Sequence, residues 1–332
     1  MKPENVCYDI AMMNNNEPII FDTADGQELR INMIGSWLKR HFGSKIVKLS
    51  LDGGFTCPNR DGSKGTGGCL FCSASGSGDM ASDAADNITK ALKDQIRLLS
   101  AKWPEARYMA YFQSHTNTYA SVDVLRKTFD PVLDHPDVMG IAIATRPDCL
   151  PDDVLDYLEE LNEKTFLWTE LGLQTIHDET AKAMNLCHNR KDYDDAVQKL
   201  RSRGIRTVTH LILGLPGETP EMMRESLQYV CRSESCEPAI FGLKLHMLNV
   251  VRGSGLPERY PGYVPYGTME EYIHQLIDLI EIIPPEITLH RISGDAPRQT
   301  LIAPEWSYKK RTILNSIHRE MRLRNTWQGK AL

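Results

Sequence analysis

The sequence predicts an α/β fold: a partial (β/α)6 parallel barrel with an extension at each end. Three observations predict it. From residue 45 onward, apolar runs of strand length alternate with segments of helical spacing. Six such strand–helix units fit before about residue 282. A loop rich in cysteine and glycine follows the first of these strands, at the strand end where parallel barrels carry function.

The units follow in order. Residues 45–51 alternate around Val47, Leu49 and Leu51 and then meet Asp52-Gly53-Gly54, a strand ending in a turn. Ile88, Leu92, Ile96 and Leu99 have helical spacing within 87–102. Residues 107–112 read as a short strand, and Ser121 as the cap of a helix carrying Val124, Leu125, Phe129 and Leu133. A strand over 138–144 ends at Thr145-Arg146-Pro147-Asp148, and a helix over 151–161 starts with proline. Strands over 166–173 and 205–213 flank helices over 177–184 and 193–203. Gly214-Leu215-Pro216-Gly217 closes the second of those strands. A helix over 222–229, a strand over 240–248 and a helix over 269–282 complete the core. A strand over 286–292 and a helix over 308–324 follow. Strands separated by helices imply right-handed crossovers and a parallel sheet. The expected organisation is an N-terminal extension (1–44), a core (45–285) and a C-terminal strand–helix extension (286–332), the last a candidate substrate-binding element.

Composition narrows the class. The 332 residues are 41% hydrophobic and 25% charged, which excludes collagen-like, coiled-coil and wholly disordered chains. Apolar runs such as 208–215 fall short of the roughly 18 residues of a membrane span. Residues 1–20 are polar and lack the basic start and apolar centre of a signal peptide. A cytoplasmic protein with no membrane partner is expected. With 38 Lys and Arg against 44 Asp and Glu, the net charge of −6 gives no general basic coat and leaves room for a local basic patch.

Eight cysteines in a chain of this length without an export signal suggest reduced thiols, some of them ligands. Cys7, Cys149, Cys187, Cys231 and Cys236 are scattered and read as ordinary core or surface thiols. Cys57, Cys69 and Cys72 are clustered. Cys69-Leu-Phe-Cys72 lets two sulfurs face one metal centre, and Gly62, Gly65, Gly67 and Gly68 give the loop freedom to wrap a bulky inorganic group. Structural zinc prefers four protein ligands, and a [4Fe–4S] cluster usually takes four cysteines. Three thiolates would leave one iron open to a ligand from outside the protein. A zinc loop completed by a distant side chain or water is the alternative.

Three cysteines after the first strand, followed by five more βα units, resemble the radical S-adenosylmethionine (SAM) superfamily. The long gap between Cys57 and Cys69 resembles the branch containing the Elongator catalytic subunit. The stretch Leu51-Asp-Gly-Gly-Phe-Thr-Cys57-Pro-Asn-Arg-Asp-Gly62 is similar to the bacterial YtqA/YhcC-type radical SAM proteins. The resemblance implies that Cys57, Cys69 and Cys72 hold a [4Fe–4S] cluster and that SAM chelates its open iron. Reduction by a partner such as flavodoxin or ferredoxin would cleave SAM to methionine and a 5′-deoxyadenosyl radical, which takes hydrogen from the substrate.

Further residues carry over one at a time. Where family members hold the SAM amino group with a glycine pair, this chain has Phe112-Gln113-Ser-His-Thr-Asn117, so Gln113 and Asn117 are candidates, with turn capping as the alternative. Glu170-Leu-Gly-Leu-Gln174 resembles the segment lining the SAM ribose, and the two side chains share a strand face. Pairing with a structural arginine is the other reading of Glu170. The run from His210 to Thr219 resembles the adenine motif and nominates Ile212 and Gly214, while Glu218 is expected to support the next helix N-terminus. Where relatives carry Arg-Gly-His, this chain has Leu186-Cys187-His188: His188 is a cofactor candidate, and Arg190 a substitute for the missing arginine.

For substrate, Lys39 and Arg40 near the start and Lys309, Lys310, Arg311 and Arg322 near the end could form a surface for nucleic-acid phosphates, or simply solvated helix faces. The resemblance favours tRNA, with the wobble uridine's carboxymethylaminomethyl group converted to aminomethyl. The alternatives are a radical SAM enzyme for a small or porphyrin-like molecule and a non-catalytic zinc-binding RNA adaptor.

Overall fold

Alternation of apolar strands with amphipathic helices produces the architecture of this computed structural model. It describes residues 17–24, 26–73, 76, 87–232, 238–294 and 296–332. A hairpin of β1 (Asp22–Ala24) and β2 (Gln27–Leu29) leads into α1 (Ile34–Phe42). The repeating units are β3 (Ile46–Leu51), α2 (Ile88–Ser100), β4 (Arg107–Phe112), α3 (Val122–Leu133), β5 (Val138–Thr145), α4 (Asp152–Lys164) and β6 (Phe166–Gln174). They continue with α5 (Asp178–Ala183), α6 (Arg190–Ser202), β7 (Arg206–Leu213), α7 (Pro220–Val230) and β8 (Gly242–Met247). The chain ends in β9 (Val250–Val251), α8 (Leu256–Arg259), α9 (Met269–Ile280), β10 (Thr288–Arg291), β11 (Leu301–Ala303) and α10 (Lys310–Leu323).

The predicted strands and helices form within a few residues of their expected ends, and caps fix several of them. Asn87 accepts the Lys90 amide at the start of α2, Asn189 and Asp192 make a capping box on α6, and Thr219 and Thr268 cap α7 and α9. Ser121 occupies the N-cap position of α3, but its hydroxyl makes no capping bond.

The parallel sheet has seven strands in the order β10-β8-β7-β6-β5-β4-β3. Six were expected. The seventh, β10, pairs parallel with β8, so it extends the core sheet from within the segment expected to be an extension. On the outer face, residues such as Tyr108, Ala110 and Phe112 pack beneath the helices in one large core. The inner face holds a second core of Ile46, Met109, Ala142, Trp168 and Val208.

The helix α1, which the sequence reading did not identify, closes this inner core at the strand N-termini. Its Ile34 and Leu38 are buried there, and Trp37 packs on Phe166 and Phe241 at ring separations of 5.8 and 5.1 Å. The opposite end stays open. Trimming Leu38, 2% exposed, leaves a void under the barrel floor. Leu38→Ala is expected to cost about 2–5 kcal/mol, read as a lower denaturant midpoint.

Candidate functional site

The cysteine loop lies at the C-terminal end of β3, where Cys57, Cys69 and Cys72 all line one cavity of about 420 Å³. Cys69 and Cys72 share a hydrogen bond, and Asn59 donates to Cys69 Sγ at 3.5 Å. The loop is clasped by the connection between α5 and α6. Asn185 donates to the Thr66 and Gly68 carbonyls at 3.2 and 2.8 Å, and the Leu70 amide donates to Met184 at 3.0 Å. Asn59, fully buried, donates back to the Asn185 carbonyl. Gly65 allows this approach: a Cβ there would sit 2.2 Å from Asn59 Oδ1 and 2.8 Å from Cys187 Sγ. Asn185 and Cys187 both adopt positive φ (55° and 56°), a conformation that surrounding contacts must enforce.

Arg146, at the end of β5, locks the clasp. It forks onto Asp148 at 2.9 Å through Nε and Nη2 and donates to the carbonyls of Leu186 and Cys187 at 2.8 and 3.1 Å. Lys64 of the cysteine loop binds the same Asp148 at 2.6 Å. Arg146 lines the cavity, so a cation stands beside the thiols despite Leu186. Arg190 does not line this cavity; it is exposed and rests on the Tyr229 ring at 5.4 Å.

Gln113, Glu170, Gln174, His188 and Ile212 line the cavity. Burial, reinforced by the Arg146 charge, pulls His188 down to about 4, and its Nδ1 has no partner among the described residues. Asn117 and Gly214 do not line it. Asn117 is buried and its amide caps the carbonyls of Phe112, Ser114 and Ala144, the turn role weighed as its alternative. Gly214 faces Tyr266 instead. Glu218 lies outside the next helix and accepts from Thr175.

Glu170 is the centre of the barrel interior. Its Oε1 accepts from Trp168 Nε1 at 2.9 Å and pairs with Lys48 at 3.6 Å. Its Oε2 accepts from Tyr111 at 2.8 Å, from His210 at 3.0 Å and from Lys244. Burial would raise this carboxyl; the charges of Lys244 and Lys48 outweigh it and hold the group well below the usual range. These five partners use up the roughly four lone-pair sites of a carboxylate, so Glu170 is engaged with lysine and keeps no site for a ribose. Burial, with Lys48 and Arg291 nearby, lowers Lys244 to about 7, and burial lowers His210 to about 4 and His246 and His290 well below normal.

The basic residues fall at different places along the barrel. Lys39 and Arg40 lie on α1, at the closed end of the barrel, where Arg40 holds the Phe21 carbonyl at 2.7 Å. Lys309, Lys310 and Arg311 open α10 just after β11, which pairs with β9 at the cavity rim. Arg322, in the last turn of α10, is about 18 Å away along the helix. Cys149 is buried, with its thiol pushed up to about 12 by burial, Cys187 is exposed, and burial also raises Cys231. Cys7 and Cys236 lie outside the described residues.

The donor set suits an iron–sulfur cluster with one open corner. Cys57, Cys69 and Cys72 line the same cavity, which gives three thiolate donors and leaves the fourth position to an outside ligand. The Radical SAM superfamily signature matches residues 60–230, and that of the Radical_SAM C-terminal domain matches 240–322. The chain belongs to the radical SAM superfamily. Members of this superfamily are enzymes that bind a [4Fe–4S] cluster and SAM. Bacillus subtilis YtqA is 45% identical across 96% of this chain and 97% of its own length. The tRNA uridine(34) acetyltransferase of Dehalococcoides mccartyi is 29% identical over 59% of this chain and 42% of its own. Methanocaldococcus infernus Elp3 lacking residues 1–46 shares the fold at TM-score 0.64 and 17% identity, over 86% of this chain and 64% of that one. Among the described residues no helix is long and apolar enough to cross a membrane.

Sequence reasoning missed Arg146, Lys244, His246, His290 and Arg291, and counted Lys48 only as part of a basic surface segment. The signal was a polar side chain at an inward position of an otherwise apolar strand, such as Lys48 between Val47 and Leu49. Glu170→Gln removes the one carboxylate holding two lysines. Stability should fall by about 3–5 kcal/mol, measured by chemical denaturation.

Proposed function

We propose that this chain is a radical SAM enzyme that trims the C5 side chain of the tRNA wobble uridine from carboxymethylaminomethyl to aminomethyl. The observation that carries the reading is one cavity lined by three thiols and by Lys48, Lys244 and Arg291; exposed Lys309, Lys310 and Arg311 follow β11, whose partner β9 contributes Val251 to the lining. The relative named for tRNA uridine(34) supports the substrate class.

Cys57, Cys69 and Cys72 would hold the cluster. Gln113, Gln174, His188 and Ile212 would form the SAM wall, with Arg146 the cation for its carboxylate. When bound, the cluster and SAM supply a carbon-centred radical that removes one hydrogen atom from the substrate. Asp148 keeps Arg146 in place, and neutral His188 offers a nitrogen without adding charge. The apolar layer of Leu186, Ile212 and Leu248 shields the site from water. The net reaction is R–NH–CH2–COO⁻ + H2O → R–NH2 + OHC–COO⁻ + 2H⁺ + 2e⁻. One electron and one proton leave together as the abstracted hydrogen atom. The other electron passes to the redox partner, flavodoxin or ferredoxin, and the other proton to water. Lys309, Lys310 and Arg311 would meet tRNA phosphates.

Anaerobically reconstituted protein should carry about four irons per chain. Cys57→Ala, Cys69→Ala and Cys72→Ala should each lose most of that iron and its visible absorbance, while Cys231→Ala keeps both. Incubation with SAM, reductant and tRNA bearing the carboxymethylaminomethyl group should yield aminomethyluridine and an equal amount of glyoxylate. SAM cleavage with the nucleoside unchanged would reject the tRNA assignment.

A further inference from the structure

The described residues lining the cavity carry an uneven charge. Lys48, Arg60, Arg146, Lys244 and Arg291 are basic, and Glu170 is the single acid. These cations fall into two groups. Arg60 and Arg146 belong to the cysteine wall: Arg60 lies over Gly68 and donates to the Ser73 carbonyl, and Arg146 binds the clasp. Lys48, Lys244 and Arg291 come from β3, β8 and β10 and belong to the floor, together with His210, His246 and His290.

The two floor lysines bring more positive charge than the one carboxylate they share can balance. Glu170 is saturated by Trp168, Tyr111, His210 and the two lysines. Lys48 and Lys244 stand over the Tyr111 ring at 5.0 and 4.6 Å, so two ammonium groups crowd one carboxylate in a buried site. Uncompensated buried positive charge is costly, and an incoming anion relieves it. Burial, and after it the neighbouring cations, lowers Lys244, His246 and His290, so this layer holds its positive charge only with an anion close by.

Shape selects which anion enters. Ile46, Met109, Trp168, Val208 and α1 close the barrel beneath this layer, so only the end of a chain reaches it. A bridging phosphodiester, continuing in both directions, is excluded. We infer that the barrel floor, centred on Lys48 and Lys244, is the receptor for a terminal carboxylate on the substrate's reacting side chain. The inference rests on the proposed trimming reaction and names the feature of the side chain that is recognised. A carboxylate docked there places its neighbouring carbon between the floor and the cysteine wall.

The test uses holoenzyme saturated with SAM, without reductant, and equilibrium dialysis. The probes are 5-carboxymethylaminomethyluridine, its carboxamide, N-ethylglycine and N-ethylglycinamide. Each acid should bind about tenfold or more tightly than its amide, the worth of a charged hydrogen bond. Lys48→Gln, at a side chain still 25% exposed, should bring the ratio near unity. Acids and amides bound alike by the unmodified protein overturn the inference, whatever the variant does. Acid binding seen only when SAM is omitted overturns it too, by assigning the floor to SAM's own carboxylate. Acid preference together with unconverted tRNA leaves the floor in place and rejects the tRNA reading. Conversion of tRNA without acid preference rejects the floor alone.

Discussion

One buried carboxylate organises this barrel. Glu170 of β6 gathers Lys48 of β3, Tyr111 of β4, His210 of β7 and Lys244 of β8, so a single side chain joins most of the parallel sheet across its interior. Apolar residues in this layer would have filled the interior and left no chamber. Instead, an ionic layer sits on an apolar one that α1 seals, and the space above it remains open. The layer exists at the expense of stability, because buried ion pairs seldom outperform well-packed hydrocarbon. Its persistence is better understood as the floor of a site than as a stabilising device.

The second constraint is the clasp on the cysteine loop. Four glycines make that loop adaptable, and adaptability alone would not hold three thiols on one wall. Asn59, Asn185 and Arg146 impose the shape through main-chain carbonyls, and Asp148 anchors both Arg146 and Lys64. Two residues held at positive φ in the connection from α5 to α6 show that this connection is shaped for the loop. Arg146, just past the end of β5, reaches the Leu186 and Cys187 carbonyls and fixes this connection against the cysteine loop.

These two constraints explain what the sequence disclosed. Strands and helices were legible because period and capping are local, and the cysteine spacing marked its loop. The identity of Glu170's partners was not legible, because Lys48 and Lys244 are 196 positions apart and meet only when the sheet curls. Asn117 and Gly214 were cofactor candidates by resemblance to the family's amino-group and adenine segments. Yet Asn117 turns its amide to three carbonyls, and Gly214 lies under Tyr266. The basic segments illustrate the same limit: similar charge along the chain placed Lys39 and Lys310 at opposite ends of the barrel.

Net charge and local field have opposite signs here. A chain of net charge −6 encloses a cavity whose described lining has five basic residues and one acid. The exterior therefore gives little general attraction for polyanions, while the interior strongly favours a small negative group once it has entered. Under the proposed function, long-range steering would fall to Lys309, Lys310 and Arg311, and selection to the floor. Separating the two tasks would give specificity that a uniformly basic surface cannot: a nucleic acid held by its phosphates would gain nothing further unless one side chain ended in a group the floor could complete.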